Sequence, residues 1–71
     1  MARLSTQQKL GKLVRQHRKD AGLTQEKLSE LTGLDRTYIS GIERGLRNPS
    51  IRNIDRIAKA LRVSVSDLTQ F

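Results

Sequence analysis

Two short helical patterns joined by a tight break, at residues 23–45, constrain the fold of this chain more than any other feature. The stretch reads LTQEKLSELTGLDRTYISGIERG. Thr24 suits a helix N-cap, because its hydroxyl can accept a hydrogen bond from a backbone N–H that the first turn leaves unpaired. Behind it Leu28 and Leu31 stand three apart on one helical face. Gly33 ends that helix, since glycine readily takes the left-handed conformation found at helix C-termini. Asp35 caps a second helix, in which Ile39, Ile42 and Glu43 share a face.

A helix, a tight break and a second helix of this kind form a helix-turn-helix, a motif whose second helix enters the major groove of DNA. The charge balance agrees. Fourteen Lys and Arg against seven Asp and Glu leave +7 on 71 residues. That favours a polyanionic partner, either nucleic acid or an anionic membrane face, over charge kept for solubility alone. Placement decides between the two. Arg36, Arg44, Arg47 and Arg52 all lie in or just beyond the second helix. A membrane-surface helix would pair its basic face with Trp, Phe or Leu. This chain has no Trp, and its apolar faces are committed to a core.

The length allows a single domain, residues 1–71, with one small core and a net stability of about 3–5 kcal/mol. There is no cysteine, so no disulfide or thiolate zinc site staples it. The S-x-x-Q capping box of Ser5 and Gln8 opens a first helix with Leu10, Leu13, Val14, His17 and Ala21 at helical spacing, stopped at Gly22. The two motif helices follow. A loop marked by Gly45 and Pro49 leads to Ser50, which caps a fourth helix with Ile51, Ile54, Ile57, Ala58 and Leu61 on one side. Val63 to Val65 break it, and Ser64 or Ser66 caps a short last helix carrying Leu68 and Phe71. The expected fold is all-α: a compact five-helix bundle, with the helix-turn-helix formed by helices 2 and 3. No apolar run approaches the roughly 20 residues of a membrane span, and the first five residues lack the apolar core of a signal peptide. A cytoplasmic protein is expected.

Gln25 opening the first motif helix, Gly33 in the turn, Ile39 and Ile42 inside the second helix and Glu43-Arg44-Gly45 closing it resemble the phage repressor/Cro family of helix-turn-helix regulators. Within that family, residues 34–45 (LDRTYISGIERG), with Arg47-Asn48 following, look like controller proteins of restriction-modification systems. The resemblance covers residues 10–68 and implies a phage-repressor type of DNA-binding bundle. It also implies that Arg18, on the first helix, forms a buried ion pair with Glu43. An acidic residue on the core side of a DNA-approaching helix needs such a partner.

On a helical wheel the second motif helix turns Ile39, Ile42 and Glu43 inward and Thr37, Gly41 and Arg44 outward, with Arg36 and Ser40 on one flank and Tyr38 on the other. Arg36, Thr37 and Ser40 are the candidate base contacts. Arg36 suits O6 and N7 of a guanine, a contact worth about 1–3 kcal/mol of discrimination. Gly41 is unusual inside a helix and fits either a close approach to DNA or packing against helix 1. Tyr38 either reaches a phosphate with its hydroxyl or packs its ring over the motif. Candidate phosphate contacts are Gln25, Tyr38, Arg44, Arg47, Asn48 and Arg52. Gln25 stands at a helix N-terminus, where free N–H groups favour a phosphate, and the resemblance assigns it the same role. Such contacts fix register without reading sequence.

One recognition helix reads too few base pairs, and the resembling family binds as two-fold homodimers on half-sites roughly 34 Å apart. The candidate interface is the outer face of helix 4 and the last helix, with Val63, Val65, Leu68 and Phe71; the monomer core suits Val63 and Leu68 somewhat better. The partners expected are double-stranded DNA, a second copy and, as family controllers imply, RNA polymerase, with no membrane, metal or cofactor. His17 is the single histidine and lies on an apolar face, and the chain shows no thiol, glycine-rich phosphate loop or metal-ligand spacing. An enzyme is therefore not expected. The competing role is an antitoxin-type or phage-type repressor that works partly through a partner protein.

Overall fold

Each helix begins at a side-chain cap, and these five caps divide the chain. The structure, a computed structural model, describes residues 3–71; Met1 and Ala2, the first two residues of the expected 1–71 unit, lie outside the described residues. Helix α1 is Thr6–Asp20, α2 Gln25–Thr32, α3 Arg36–Glu43, α4 Ile51–Leu61 and α5 Val65–Leu68. Ser5 and Gln8 form the reciprocal box ahead of α1, at 3.1 and 2.8 Å. The Lys27 N–H donates to the Thr24 hydroxyl at 3.0 Å, the Thr37 N–H to Asp35 at 2.7 Å and the Asn53 N–H to Ser50 at 3.2 Å. Ser64, not Ser66, caps α5, in a second box with Asp67 at 3.0 and 2.9 Å. Each cap supplies an acceptor to a first-turn donor that would otherwise be unpaired. Among the described residues there is no strand.

The core gathers the apolar stripe of each helix. Val14, Leu28, Ile39, Ile42, Ile57 and Leu68 are almost wholly buried, with Leu10, Ala58 and Leu61 beside them. Burying one such large side chain contributes about 1.5–3 kcal/mol. α1 packs on α3, α4 and α5, α2 packs on α3 and α4, and α4 carries α5. α3 is thus held between α1 and α2 with its other side free.

Several residues depart from the expected pattern. Leu31 is 52% exposed although Leu28 on the same helix is 0%. The 60° offset between them turns Leu31 toward the rim of the α2–α4 contact. Ala21, at the end of α1, is exposed. Ile51 is 68% exposed, because the interior forms around the last two turns of α4 and leaves its first turn outside. Leu68 is fully buried, so its side chain is spent in the monomer core and cannot belong to a pairing surface; Val63 and Val65 are half-buried against that core. Phe71 remains outward, 52% exposed.

Candidate nucleic-acid interface

Hydroxyl groups hold the turn between α2 and α3. Gly33 closes α2 with φ +74°, the left-handed value that favours glycine. The Thr32 hydroxyl donates to Leu28 O at 2.8 Å and accepts from the Leu34 N–H at 3.2 Å. The Ser29 hydroxyl donates to Leu34 O. With Asp35 capping the next helix, hydrogen bonds brace the turn from α2 into α3, which fixes the direction in which α3 leaves the turn.

The far end of α3 is clamped by a charge pair. Arg18 donates from Nε to Glu43 Oε2 at 2.7 Å and from Nη2 to Oε1 at 3.0 Å. Its Nη1 donates to Leu23 O at 2.8 Å. Gln25 Nε2 donates to Glu43 Oε1 at 3.1 Å. One carboxylate therefore ties α1 and α2 to α3, while the same guanidinium holds the loop between α1 and α2. Only 3% of the Glu43 side chain and 11% of the Arg18 side chain are exposed. The hydrogen bond that Arg18 donates to Glu43 raises the Arg18 pKa above its ordinary value, more than burial lowers it. The guanidinium stays charged, and its planar fork matches both carboxylate oxygens.

Between these two anchors α3 presents one open face. Ile39 and Ile42 are fully buried, whereas Arg36, Thr37 and Arg44 are exposed and Ser40 is half-buried. Gly41, placed outward by the wheel, is buried instead. Its nearest neighbour is not helix 1: a Cβ there would stand 2.7 Å from Arg47 Cγ, because the Arg47 stem lies across it. The glycine packed between α1 and α3 is Gly11. A Cβ on Gly11 would collide with the backbone carbonyl of Ile42 and stand 2.7 Å from that of Glu43.

The remaining candidates surround the open face. Gln25, half-buried, is turned toward Glu43. Tyr38 is half-buried with its ring against the core, and its hydroxyl accepts from Asn53 Nδ2 at 3.2 Å. That bond leaves the phenolic proton free to donate elsewhere. It also joins α3 to the first turn of α4, where exposed Arg52 stands. Arg47 and Asn48 are exposed in the loop that folds back over α3. Sequence reasoning passed over Asn53 and Gly11. Asn53 had one signal, its place three residues after a capping serine, and Gly11 had none. Val65 and Phe71 lie outside this group, on and after α5. Among the described residues no helix is long and apolar enough to cross a membrane.

Comparison with known proteins agrees with this geometry. A family model described as helix-turn-helix, HTH_3, matches residues 14–68. Control protein C.BamHI of Bacillus amyloliquefaciens is 52% identical over 62 residues, which are 86% of this chain and 76% of that protein. The crystal structure of the restriction-modification controller protein C.AhdI from Aeromonas hydrophila superposes with a TM-score of 0.85 at 45% identity, over 87% of this chain and 94% of that one. The clp gene regulator ClgR from C. glutamicum superposes with a TM-score of 0.94 at 29% identity, over 97% and 88%.

Proposed function

The chain belongs to the helix-turn-helix family HTH_3 and is a DNA-binding transcriptional regulator, and we propose that it acts as a two-fold homodimer that controls its own promoter, as a restriction-modification controller. The observation that carries this reading is the open face of α3, fixed at one end by the Asp35 cap and at the other by the Arg18–Glu43 pair. Arg36, Thr37 and Ser40 read bases from that face. Arg36 takes a guanine edge and Thr37 a base edge or thymine methyl. Gln25, Tyr38, Arg44, Arg47, Asn48 and Arg52 hold phosphates on both sides of the groove. In this reading the protein works in the cytoplasm, binds no metal or cofactor and catalyses nothing.

The pairing surface lies on the α4–α5 half. Phe71 and Val65 stay in it, Leu68 leaves it for the core, and exposed Ile51 joins it. Each copy then presents one recognition helix to half-sites about one turn apart, roughly 34 Å. RNA polymerase is the further partner that an activating controller requires.

A gel-shift titration on the DNA upstream of the gene, at two salt concentrations, tests this. Wild-type protein shifts that DNA specifically, with log K falling by about 0.9 per phosphate contact for each unit of log salt. Arg36→Ala keeps the salt slope and loses about 1–3 kcal/mol of preference over a mismatched site. Equal binding of upstream and unrelated DNA by the wild type removes the autoregulator reading. A single monomeric complex at saturating protein removes the dimer.

A further inference from the structure

Where α2 and α4 end, they leave a groove that DNA reading does not use. It has a volume of about 810 Å³, and Leu23, Leu31 and Leu61 line it together with Arg56, Lys59 and Arg62. We propose that this groove docks an acidic segment of a partner protein through a leucine-like anchor flanked by carboxylates. The inference holds whether or not the protein pairs as a dimer.

Position makes simultaneous occupancy feasible. α2 begins at Gln25, hydrogen-bonded to Glu43 of α3, and ends at Thr32 on the groove. α4 begins beside Tyr38, through Asn53, and ends at Leu61 on the groove. The groove runs from Leu23, just before α2, to Thr32 at its end and to the last turns of α4, and none of the proposed DNA-contacting residues lines it. A duplex on α3 leaves it open to a second protein.

Chemistry selects the occupant. Leu31 is 52% exposed at the groove, which leaves apolar area for an aliphatic side chain to cover. A nucleic acid offers phosphates but no aliphatic chain to fill a leucine-lined groove. Among the described residues, Arg56 and Arg62 have no ion-pair partner, and Lys59 meets only Asp55, its own i−4 neighbour, at 3.0 Å. Basic residues in a last helical turn commonly offset the helix dipole, but Arg56 lies a full turn and more before the end of α4. Three cations lining a groove with three leucines complement glutamates or aspartates beside a leucine.

The backbone adds an independent sign. Arg62 closes α4 with φ +59°, the one non-glycine residue at positive φ among those described. Glycine would close the helix there without steric strain. A non-glycine residue in this conformation carries a steric cost and is compatible with a role for its side chain beyond closing the helix. Here it keeps an arginine among the residues that line the groove.

The test is an anisotropy titration at about 0.15 M salt, where charge alone is largely screened. The probes are a fluorescein-labelled peptide of glutamates flanking a leucine pair and an equally charged peptide with serines for the leucines. The leucine peptide binds about tenfold or more tightly than the serine peptide. Leu31→Ser and Arg56→Ala each weaken it severalfold and leave operator affinity unchanged. Arg62→Gly melts at a higher temperature yet binds the peptide more weakly, an outcome that a merely structural cap residue would not give. Equal binding of the two peptides, no binding of either, or full binding by the variants overturns the proposal. So does weakened DNA binding in Leu31→Ser and Arg56→Ala, which makes the groove a phosphate track. A shift of these variants toward monomer in sedimentation assigns it to a second copy and also overturns it.

Discussion

The stem of Arg47 lies across Gly41, so close that a methyl group on that glycine would stand 2.7 Å from Arg47 Cγ and 3.4 Å from its Nε. The Leu46 N–H, donating to Gly41 O at 2.8 Å, folds the same loop back onto α3. The glycine thus makes room for a cation beside the recognition face.

Gly41→Ala displaces Arg47 while sparing the fold. Arg47 is long and exposed and can move away, and alanine favours a helix by about 1 kcal/mol over glycine. The melting temperature holds or rises, whereas DNA affinity falls and the salt slope loses about 0.9 if a phosphate contact goes with it. A variant with wild-type affinity and slope would show that Arg47 does not need this seat.

Gly11→Ala has the opposite signature. Its Cβ meets the Ile42 and Glu43 carbonyls, which are backbone and cannot swing aside. Forcing α1 away from α3 costs about 1–3 kcal/mol, only partly offset by helix propensity. Each net kcal/mol lowers the melting temperature by roughly 4–8 °C in a domain of this size. Thermal melts of the two alanine variants side by side check the contrast.

Arg18→Ala leaves the Glu43 carboxylate buried with only Gln25 as a partner. The loss is about 3–5 kcal/mol, comparable to the whole stability expected of so small a domain. The double variant Arg18→Met/Glu43→Leu recovers most of it, since removing both charges leaves none uncompensated. Urea unfolding followed by circular dichroism measures both. An unchanged midpoint for the single variant would mean that the pair is idle.

Asp67 gives the last helix an acid sensitivity. The Ser64 backbone N–H and hydroxyl hold its carboxyl below the usual range, and the charge of His17 acts in the same direction. A folded-state pKa below the unfolded one means stability that is present above the unfolded value and lost as pH falls through the folded one. The melting temperatures of wild type and Asp67→Asn therefore differ at about pH 7 and converge toward about pH 3. A gap that stays constant across that range would exclude the carboxylate as its source.

Local chemistry was legible in the chain and tertiary accommodation was not. The caps at Ser5, Thr24, Asp35 and Ser50 read directly, because a cap is decided within three residues. Spacing alone set Ile39 and Ile42 against Arg36 and Thr37, and the burial of α3 follows that division. The Arg18–Glu43 pair spans 25 positions, and a family resemblance, not spacing, suggested it. Leu31 and Ile51 read as core because their helices are amphipathic. Their exposure depends on where neighbouring helices stop, which no periodicity records. Gly11 and Gly41 show the same limit: what fills the space of a missing side chain comes from elsewhere in the chain.

Because hydroxyls lock the turn before α3 and one carboxylate locks its end, the recognition helix has no slack of its own. In a two-fold pair the spacing of the two helices is then a property of the protein, and the duplex must supply any adjustment. Central base pairs that neither copy touches would be selected for how cheaply they twist and bend. The stiffness of the protein would thereby be written into the DNA between its half-sites.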